Sequence, residues 1–85
     1  MNDHTLIPLV QLAAGAHGIA RDIQGGADFS GRLAGMGLTK GAYLEILQNT
    51  GRGPVLLRTH GTRIALGWGE ALKILVEETH DESAG

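Results

Sequence analysis

The sequence predicts a mainly β protein: a small closed barrel of about five strands, with one short helix after the first strand and a helical turn before the last. Five short segments rich in Val, Ile and Leu alternate with turn residues, as in small all-β domains. Fourteen of the 85 residues are glycine, about twice the usual share of ~7%, and they follow no repeating period. Closing the sheet would also remove exposed edges from a chain with so many aliphatic residues.

Length and composition limit the classes of protein to consider. Eighty-five residues suffice for one small domain, which we place at residues 6–78 between a frayed N-terminus (1–5) and a disordered acidic tail (79–85). The chain has no cysteine, which excludes disulfides, thiolate metal sites and cysteine nucleophiles. A formal charge of −2 argues against a basic surface for nucleic acid.

The N-terminal apolar segment does not resemble a secretory signal. No basic residue precedes it, Asp3 is acidic, and the first arginine is Arg21. No apolar run approaches the ~20 residues that cross a bilayer. We therefore expect a cytoplasmic protein whose membrane-related work is done by a partner.

The first strand is predicted at His17–Ile23, with Ile19 and Ile23 on one face and Gly25-Gly26 at its end. Before it, the apolar residues from Leu6 to Leu12 form a segment ahead of the barrel. Pro8 in that segment has no N–H for a sheet ladder, so it belongs at an edge or in a loop.

A short helix is predicted next. Asp28 or Ser30 would cap its first turn, because a short polar side chain accepts hydrogen bonds from free N–H groups. Leu33 and Met36 are three residues apart, so one helical face can present both to the same apolar surface.

Glycine is predicted to end that helix. Gly37 follows directly after Met36, where a left-handed residue would stop the helix, and Leu38 would then fold back onto it. Thr39, Lys40 and Gly41 form a turn that leads into the next strand. Leu33, Met36, Gly37, Leu38 and Gly41 are therefore the residues on which we expect the fold to depend.

A hairpin follows, with strands Tyr43–Gln48 and Pro54–His60 joined by a glycine-rich loop at Asn49–Gly53. Alternation predicts that five side chains of these strands face the core: Leu44, Ile46, Val55, Leu57 and Thr59.

The rest of the chain adds two short strands. Gly61-Thr62 is predicted to turn the chain into the strand Arg63–Leu66, and Gly67–Leu72 to form one helical turn. Lys73–Glu77 closes the sheet, with Ile74 and Val76 facing inward.

The histidines offer little for a metal. No two of the four histidines lie two, three or four residues apart, so no local metal clamp exists. His17 and His60 are the weak candidates, since they would have to meet across strands; histidines hydrogen-bonded at strand edges are the favoured interpretation. His80, Asp81 and Glu82 in the tail would hold Fe²⁺ or another divalent ion only loosely. We expect no cofactor.

Catalysis and nucleotide binding are not expected. Lys40 is preceded by Thr39 where a phosphate-binding loop needs glycine. No serine, histidine and acid have a spacing that supports nucleophilic catalysis, and Ser30 serves better as a helix cap. The carboxylates at the C-terminus are more simply a solvated end of the chain.

What remains is a binding surface. If the predicted inward residues fill the core, Tyr43, Leu47 and Leu56 face outward, with Arg58 beside them. Either the helix and termini cover these side chains, which is the simpler interpretation, or they bind a partner. Tyr43, Leu56 and Arg58 are the candidate partner-binding residues, because Tyr and Arg are frequent anchors at interfaces.

The segment Arg32-Leu33-x-x-Met36-Gly37-Leu38-x-x-Gly41, followed by an apolar strand, resembles the FeoA family of small cytoplasmic proteins of ferrous iron transport. The resemblance covers roughly residues 6 to 78, and the ordered set of motifs with these spacings is fairly specific. Its other matches are Leu9-x-x-Leu12-x-x-Gly15-x-x-Gly18, Gly53-Pro54-Val55, Gly61-Thr62-Arg63-Ile64-Ala65-Leu66-Gly67 and Ala71-x-x-Ile74-x-Val76.

This resemblance implies an SH3-like β-barrel that binds another protein. The implied partner is the FeoB-type ferrous iron permease, on whose cytoplasmic part the chain would dock to modulate uptake. The alternative is a metal-linked regulatory or adaptor domain, since iron- and manganese-dependent repressors carry a similar C-terminal SH3-like domain. Those repressors also have a DNA-reading helix pair, which this sequence does not show.

Overall fold

Six strands form one antiparallel sheet in the order β1-β6-β2-β3-β4-β5 in the computed structural model, which describes residues 5–79. The mainly β class is therefore confirmed. A 3₁₀ turn at Leu9–Gln11 follows the first strand. The strands are β1 (Leu6–Pro8), β2 (His17–Ile23), β3 (Tyr43–Asn49), β4 (Val55–Thr59), β5 (Thr62–Leu66) and β6 (Ile74–Thr79); the helices are α1 (Gly26–Gly35) and α2 (Trp68–Ala71).

The sheet has six strands where about five were predicted. The added strand is β1, which pairs with β6 and places Pro8 opposite Leu75 on an edge strand, where a residue without an N–H fits. Within residues 5–79 no ladder joins β1 to β5, so hydrogen bonds do not close the sheet into the predicted barrel. Three predictions fall on residues that the structure does not describe, apart from residues 5 and 79. They concern the frayed N-terminus, the acidic tail and the group His80, Asp81 and Glu82.

The core is almost entirely aliphatic, with Phe29 as the aromatic residue among the buried members of the described chain. The side chains predicted to face inward from β3, β4 and β6 are all buried. The buried apolar residues form one cluster: Leu9, Leu12, Ala20, Phe29, Leu33, Leu38, Ala42, Leu44, Ile46, Val55, Leu57, Ile64, Leu66, Ala71, Ile74 and Val76.

Helix α1 begins earlier than predicted. Its first residue is Gly26, with Gly25 at the N-cap in a left-handed conformation (φ 116°), so the predicted caps Asp28 and Ser30 lie inside the helix. The Ser30 hydroxyl instead donates to the Gly26 carbonyl at 3.1 Å, one turn back. The predicted start of the helix was wrong because Gly25 and Gly26, which were assigned to the end of the preceding strand, also begin the helix.

The end of α1 has the hydrogen bonds of a glycine stop. Gly37 has φ of 98°, its N–H donates to the Ala34 carbonyl at 3.0 Å, and the Leu38 N–H donates to the Leu33 carbonyl at 2.9 Å. Leu33 and Leu38 are both buried. Met36 was predicted to share the apolar face with Leu33, but it is 40% exposed because it is the C-cap, beyond the last helical residue.

Strand β2 departs from simple alternation. A register shift between Ala20 and Asp22 inserts an extra residue, Arg21, into its pairing with β6. Gly18 and Ala20 face the core and are buried, whereas Ile19 is half-buried on the other face. The predicted common face of Ile19 and Ile23 is therefore wrong, because the bulge changes the side to which the strand's later residues point.

The β4–β5 turn also lies one residue earlier than predicted. Thr59 pairs with Thr62, so His60 and Gly61 form a two-residue turn, with φ of 51° and 75°. His60 thus leaves the strand in which it was predicted and sits at the tip of the hairpin.

A side-chain amide ties the N-terminal segment to the β3–β4 hairpin. The Asn49 amide nitrogen donates to the carbonyls of Val10 at 2.9 Å and Leu12 at 2.8 Å. The Asn49 amide oxygen accepts from the Gly51 N–H at 3.0 Å.

Among residues 5–79 no helix is long and apolar enough to span a bilayer.

Candidate functional site

The candidate site is the outer face, which we define as the side chains of β2–β5 that point away from the core. On β3 and β4 these alternate with buried residues: Tyr43 and Glu45 flank a core residue of β3, and Leu56 and Arg58 flank a core residue of β4. The predicted partner-binding residues Tyr43, Leu56 and Arg58 therefore share one face.

A polar row crosses the outer face at one level. His17 on β2 is opposite Glu45 on β3, Glu45 is opposite Arg58 on β4, and Arg58 is opposite Arg63 on β5. Residues directly opposite in adjacent strands project from the same face, so these four side chains are neighbours. An Arg58 N–H donates to the Glu45 carboxylate at 3.1 Å, which pairs the two central members of the row.

Tyr43 is exposed but held in one orientation. Its side chain is 48% exposed, its hydroxyl and His17 Nδ1 share a hydrogen bond of 2.6 Å, and the two rings stack with centroids 5.6 Å apart. The Thr59 hydroxyl donates to the Tyr43 carbonyl at 2.8 Å, which fixes the backbone beneath the ring. An aromatic side chain already ordered in the free protein loses little entropy when it binds.

Apolar side chains lie on both sides of the polar row. Leu56 is half-buried and opposite the exposed Ala65, two residues along β4 and β5 from the arginines. Ile19 is half-buried and opposite Tyr43. Leu47, predicted to face outward, is half-buried at the register shift in β3. The outer face thus combines aliphatic, aromatic and charged groups.

Prediction from sequence missed two members of this face, Glu45 as the partner of Arg58 and Arg63 as its neighbour. A signal for Arg63 was present: Arg58 and Arg63 are equally far from the His60-Gly61 pair, and a two-residue turn there places them opposite each other.

The weak metal candidates are not brought into a cluster. The Nδ1 atom of His17 contacts the Tyr43 hydroxyl, and His60 is in the β4–β5 turn. Within the part of the chain that the structure describes, no group of three or more His, Cys, Asp or Glu side chains could hold a metal ion.

A second surface feature runs beside α1. It is an open groove of about 490 Å³ whose lining is mostly small side chains. Lys40 borders it, with its ammonium 3.8 Å from the Asp22 carboxylate. The groove's lining residues are Ile23, Gly26, Ala27, Ser30, Gly31, Ala34, Thr39 and Lys40.

A family model described as the FeoA domain matches residues 7–78 of the chain. A protein of Methanocaldococcus jannaschii named "Putative Fe(2+) transport protein A" is 37% identical over 73 residues, covering 86% of this chain and 88% of the relative. These matches span nearly the whole of the described structure.

Solved structures show the same fold. The crystal structure of an iron uptake regulatory protein (FeoA) has a TM-score of 0.82 at 33% identity and covers 88% of this chain and all of that one. A manganese-dependent transcriptional repressor has a TM-score of 0.78 at 19% identity, covering 87% of this chain and 41% of the repressor. At that identity the repressor shows the fold alone, which confirms the predicted SH3-like class.

Proposed function

The chain belongs to the FeoA domain family, and we propose that it is a cytoplasmic protein-binding module of ferrous iron uptake. In this proposal it docks on the cytoplasmic part of a FeoB-type iron permease and modulates uptake without carrying out catalysis or transporting iron itself. Membership of a family named for Fe²⁺ transport supports the process, and the outer face supports the mode of action.

The observation that carries the proposal is the exposure of Tyr43 and Arg58 on the same face of the sheet as Leu56. Tyr and Arg are the residue types that supply much of the binding energy at protein interfaces. Here they lie outside the core, so they are not needed to fill it. Tyr43 is also held by His17, which keeps its ring available in one position.

The test compares binding with stability for three single variants, Tyr43→Ala, Leu56→Ala and Arg58→Ala. Affinity for the purified cytoplasmic part of the permease is measured by calorimetry, and the melting temperature of each free variant is measured alongside. Docking predicts a loss of about 1–2 kcal/mol in binding, roughly five- to thirtyfold, for Tyr43→Ala and Arg58→Ala with nearly unchanged melting. Leu56 is half-buried, so its variant should lose some of both.

Arg52→Ala is the matched control, because Arg52 is exposed in the β3–β4 loop and away from the polar row. It should bind like the parent. If the three outer-face variants lose stability in step with affinity, these residues serve folding and the docking surface lies elsewhere. If the parent chain does not bind the permease, docking itself is refuted.

The second candidate function is a metal-linked regulatory domain, which the shared fold with the manganese-dependent repressor favours. Titration with Fe²⁺ while the His17 and His60 ring signals are followed by NMR separates the two functions. Tight binding with defined shifts at both rings would favour the regulatory function, and unchanged rings would favour docking.

A further inference from the structure

Two arginines face each other at the end of the polar row. Arg58 and Arg63 are partners in the β4–β5 ladder, both are exposed, and opposite residues in such a ladder have Cα atoms only about 5 Å apart. Like charges directly opposite each other destabilise a sheet. This pair therefore works against folding, which calls for another explanation.

The nearby acidic groups do not fully balance the pair. Glu45 contacts Arg58 at 3.1 Å from the β3 side. Within residues 5–79 the ion pairs of basic side chains involve Arg21, Arg32, Lys40 and Arg58 but not Arg63. Among the described residues, Glu45 is thus the carboxylate that neutralises this pair, and it contacts Arg58 alone, which leaves Arg63 able to bind a second carboxylate.

We propose that Arg58 and Arg63 form a clamp for a carboxylate of the partner protein, supplied by an acidic segment that lies across β4 and β5. The clamp rests on the docking function and identifies the chemistry that the partner presents. Guanidinium groups suit this task because their fixed N–H donors match the two oxygens of a carboxylate.

The neighbours of the clamp favour a protein segment over a phosphate-bearing ligand. The Glu45 carboxylate beside Arg58 would repel a dianionic phosphate more strongly than a singly charged carboxylate. The next outward pair on the same two strands is Leu56 and Ala65, about 7 Å further along. A partner segment with an aliphatic side chain next to an acidic one fits both levels, whereas nucleic acid would leave the apolar level unmatched.

The clamp and a structural role for Arg63 predict opposite changes in the melting temperature when Arg63 is replaced. Removing the charge of Arg63 relieves the repulsion with Arg58, so the free protein should melt at the same or a higher temperature. The same change removes half of the clamp, so binding should weaken. A residue that stabilises the fold would show the opposite change in melting.

The experiment titrates the purified cytoplasmic part of the FeoB-type permease into the parent chain and into Arg63→Gln, Arg63→Glu and Arg52→Glu, at two salt concentrations. Arg52→Glu is the matched control for the change in net charge, because Arg52 lies in the β3–β4 loop. The clamp predicts about fivefold weaker binding for Arg63→Gln and more than tenfold for Arg63→Glu. It also predicts less than twofold for the control, and a weaker salt dependence for both Arg63 variants.

The outcomes separate the clamp from the docking function. If the parent binds and the Arg63 variants behave like Arg52→Glu, the clamp is wrong while docking stands. If the parent does not bind, docking fails and the clamp fails with it. Two further probes are inorganic phosphate and, separately, vesicles that contain one quarter phosphatidylglycerol. If the parent binds either probe and Arg63→Gln does not, the arginine pair recognises phosphate or a lipid headgroup, and the proposal is overturned.

Discussion

Leu33 and Met36 lie three residues apart near the end of α1, and the structure separates them sharply. Leu33 is 1% exposed, within the core, and its carbonyl accepts the Leu38 N–H of the glycine stop. Met36 is 40% exposed. Leu33→Gln and Met36→Gln therefore introduce the same polar amide into a buried and an open environment.

The expected costs differ several-fold. Losing the transfer of a buried leucine from water costs about 1.5–3 kcal/mol. Burying an amide without a partner adds about 1–3 kcal/mol. We expect Leu33→Gln to cost about 4 kcal/mol against a total stability of about 4–13 kcal/mol for a chain of this length, since proteins have about 0.05–0.15 kcal/mol per residue. Met36→Gln should cost less than about 1 kcal/mol.

Urea denaturation and thermal melting of both variants test this difference. At about 4–8 °C per kcal/mol for a domain of this size, Leu33→Gln should melt at least 15 °C below the parent or fail to fold. Met36→Gln should melt within a few degrees of it. Equal melting temperatures for the two variants would mean that α1 does not pack on the sheet through Leu33.

Three further substitutions test two other parts of the fold, all by urea denaturation. Gly37→Ala places a Cβ on a residue with φ of 98° and should cost about 1–2 kcal/mol of stability. Gly31→Ala, inside α1 with open space around it, should instead stabilise the fold by about 0.5–1 kcal/mol. Equal changes in stability for the two variants would contradict a left-handed residue at the end of the helix. Asn49→Asp replaces a donor to two carbonyls by an acceptor and should cost at least about 2 kcal/mol. A loss below 0.5 kcal/mol, a threshold set by the usual effect of surface changes, would show that this amide does not anchor the N-terminal segment.

Alternation of apolar and polar residues predicted β3 and β4 well, because each has one face in the core. It failed in β2, where Ile19 lies on the outer face and the bulge at Arg21 shifts the later residue Ile23 out of phase with it. The periodicity of a single strand cannot show an unpaired extra residue, because a bulge is defined by the pairing of two strands. The shift in register is therefore seen only when the positions of both strands are known. The start of α1 was missed for a related reason: Gly25 and Gly26 satisfy both the end of a strand and the start of a helix.

The candidate site was predicted in part. Alternation within each strand correctly predicted that Tyr43, Leu56 and Arg58 point outward. The position of Arg63 opposite Arg58 depends on the register between β4 and β5, and that register depends on which two residues form the turn. A turn placed at Gly61-Thr62 instead of His60-Gly61 changes every cross-strand neighbour, and with it the charge pattern of the surface.

Docking through the outer face is tested most directly by mapping the contact on the protein itself. The amide signals of the ¹⁵N-labelled chain are followed by NMR while the unlabelled cytoplasmic part of a FeoB-type permease is added. Docking predicts that the largest changes fall on Tyr43, Leu56, Arg58 and Arg63, while Gly31 and Ala34 in the groove beside α1 change little. Changes concentrated along α1, or no change at a saturating concentration of the permease, would contradict it.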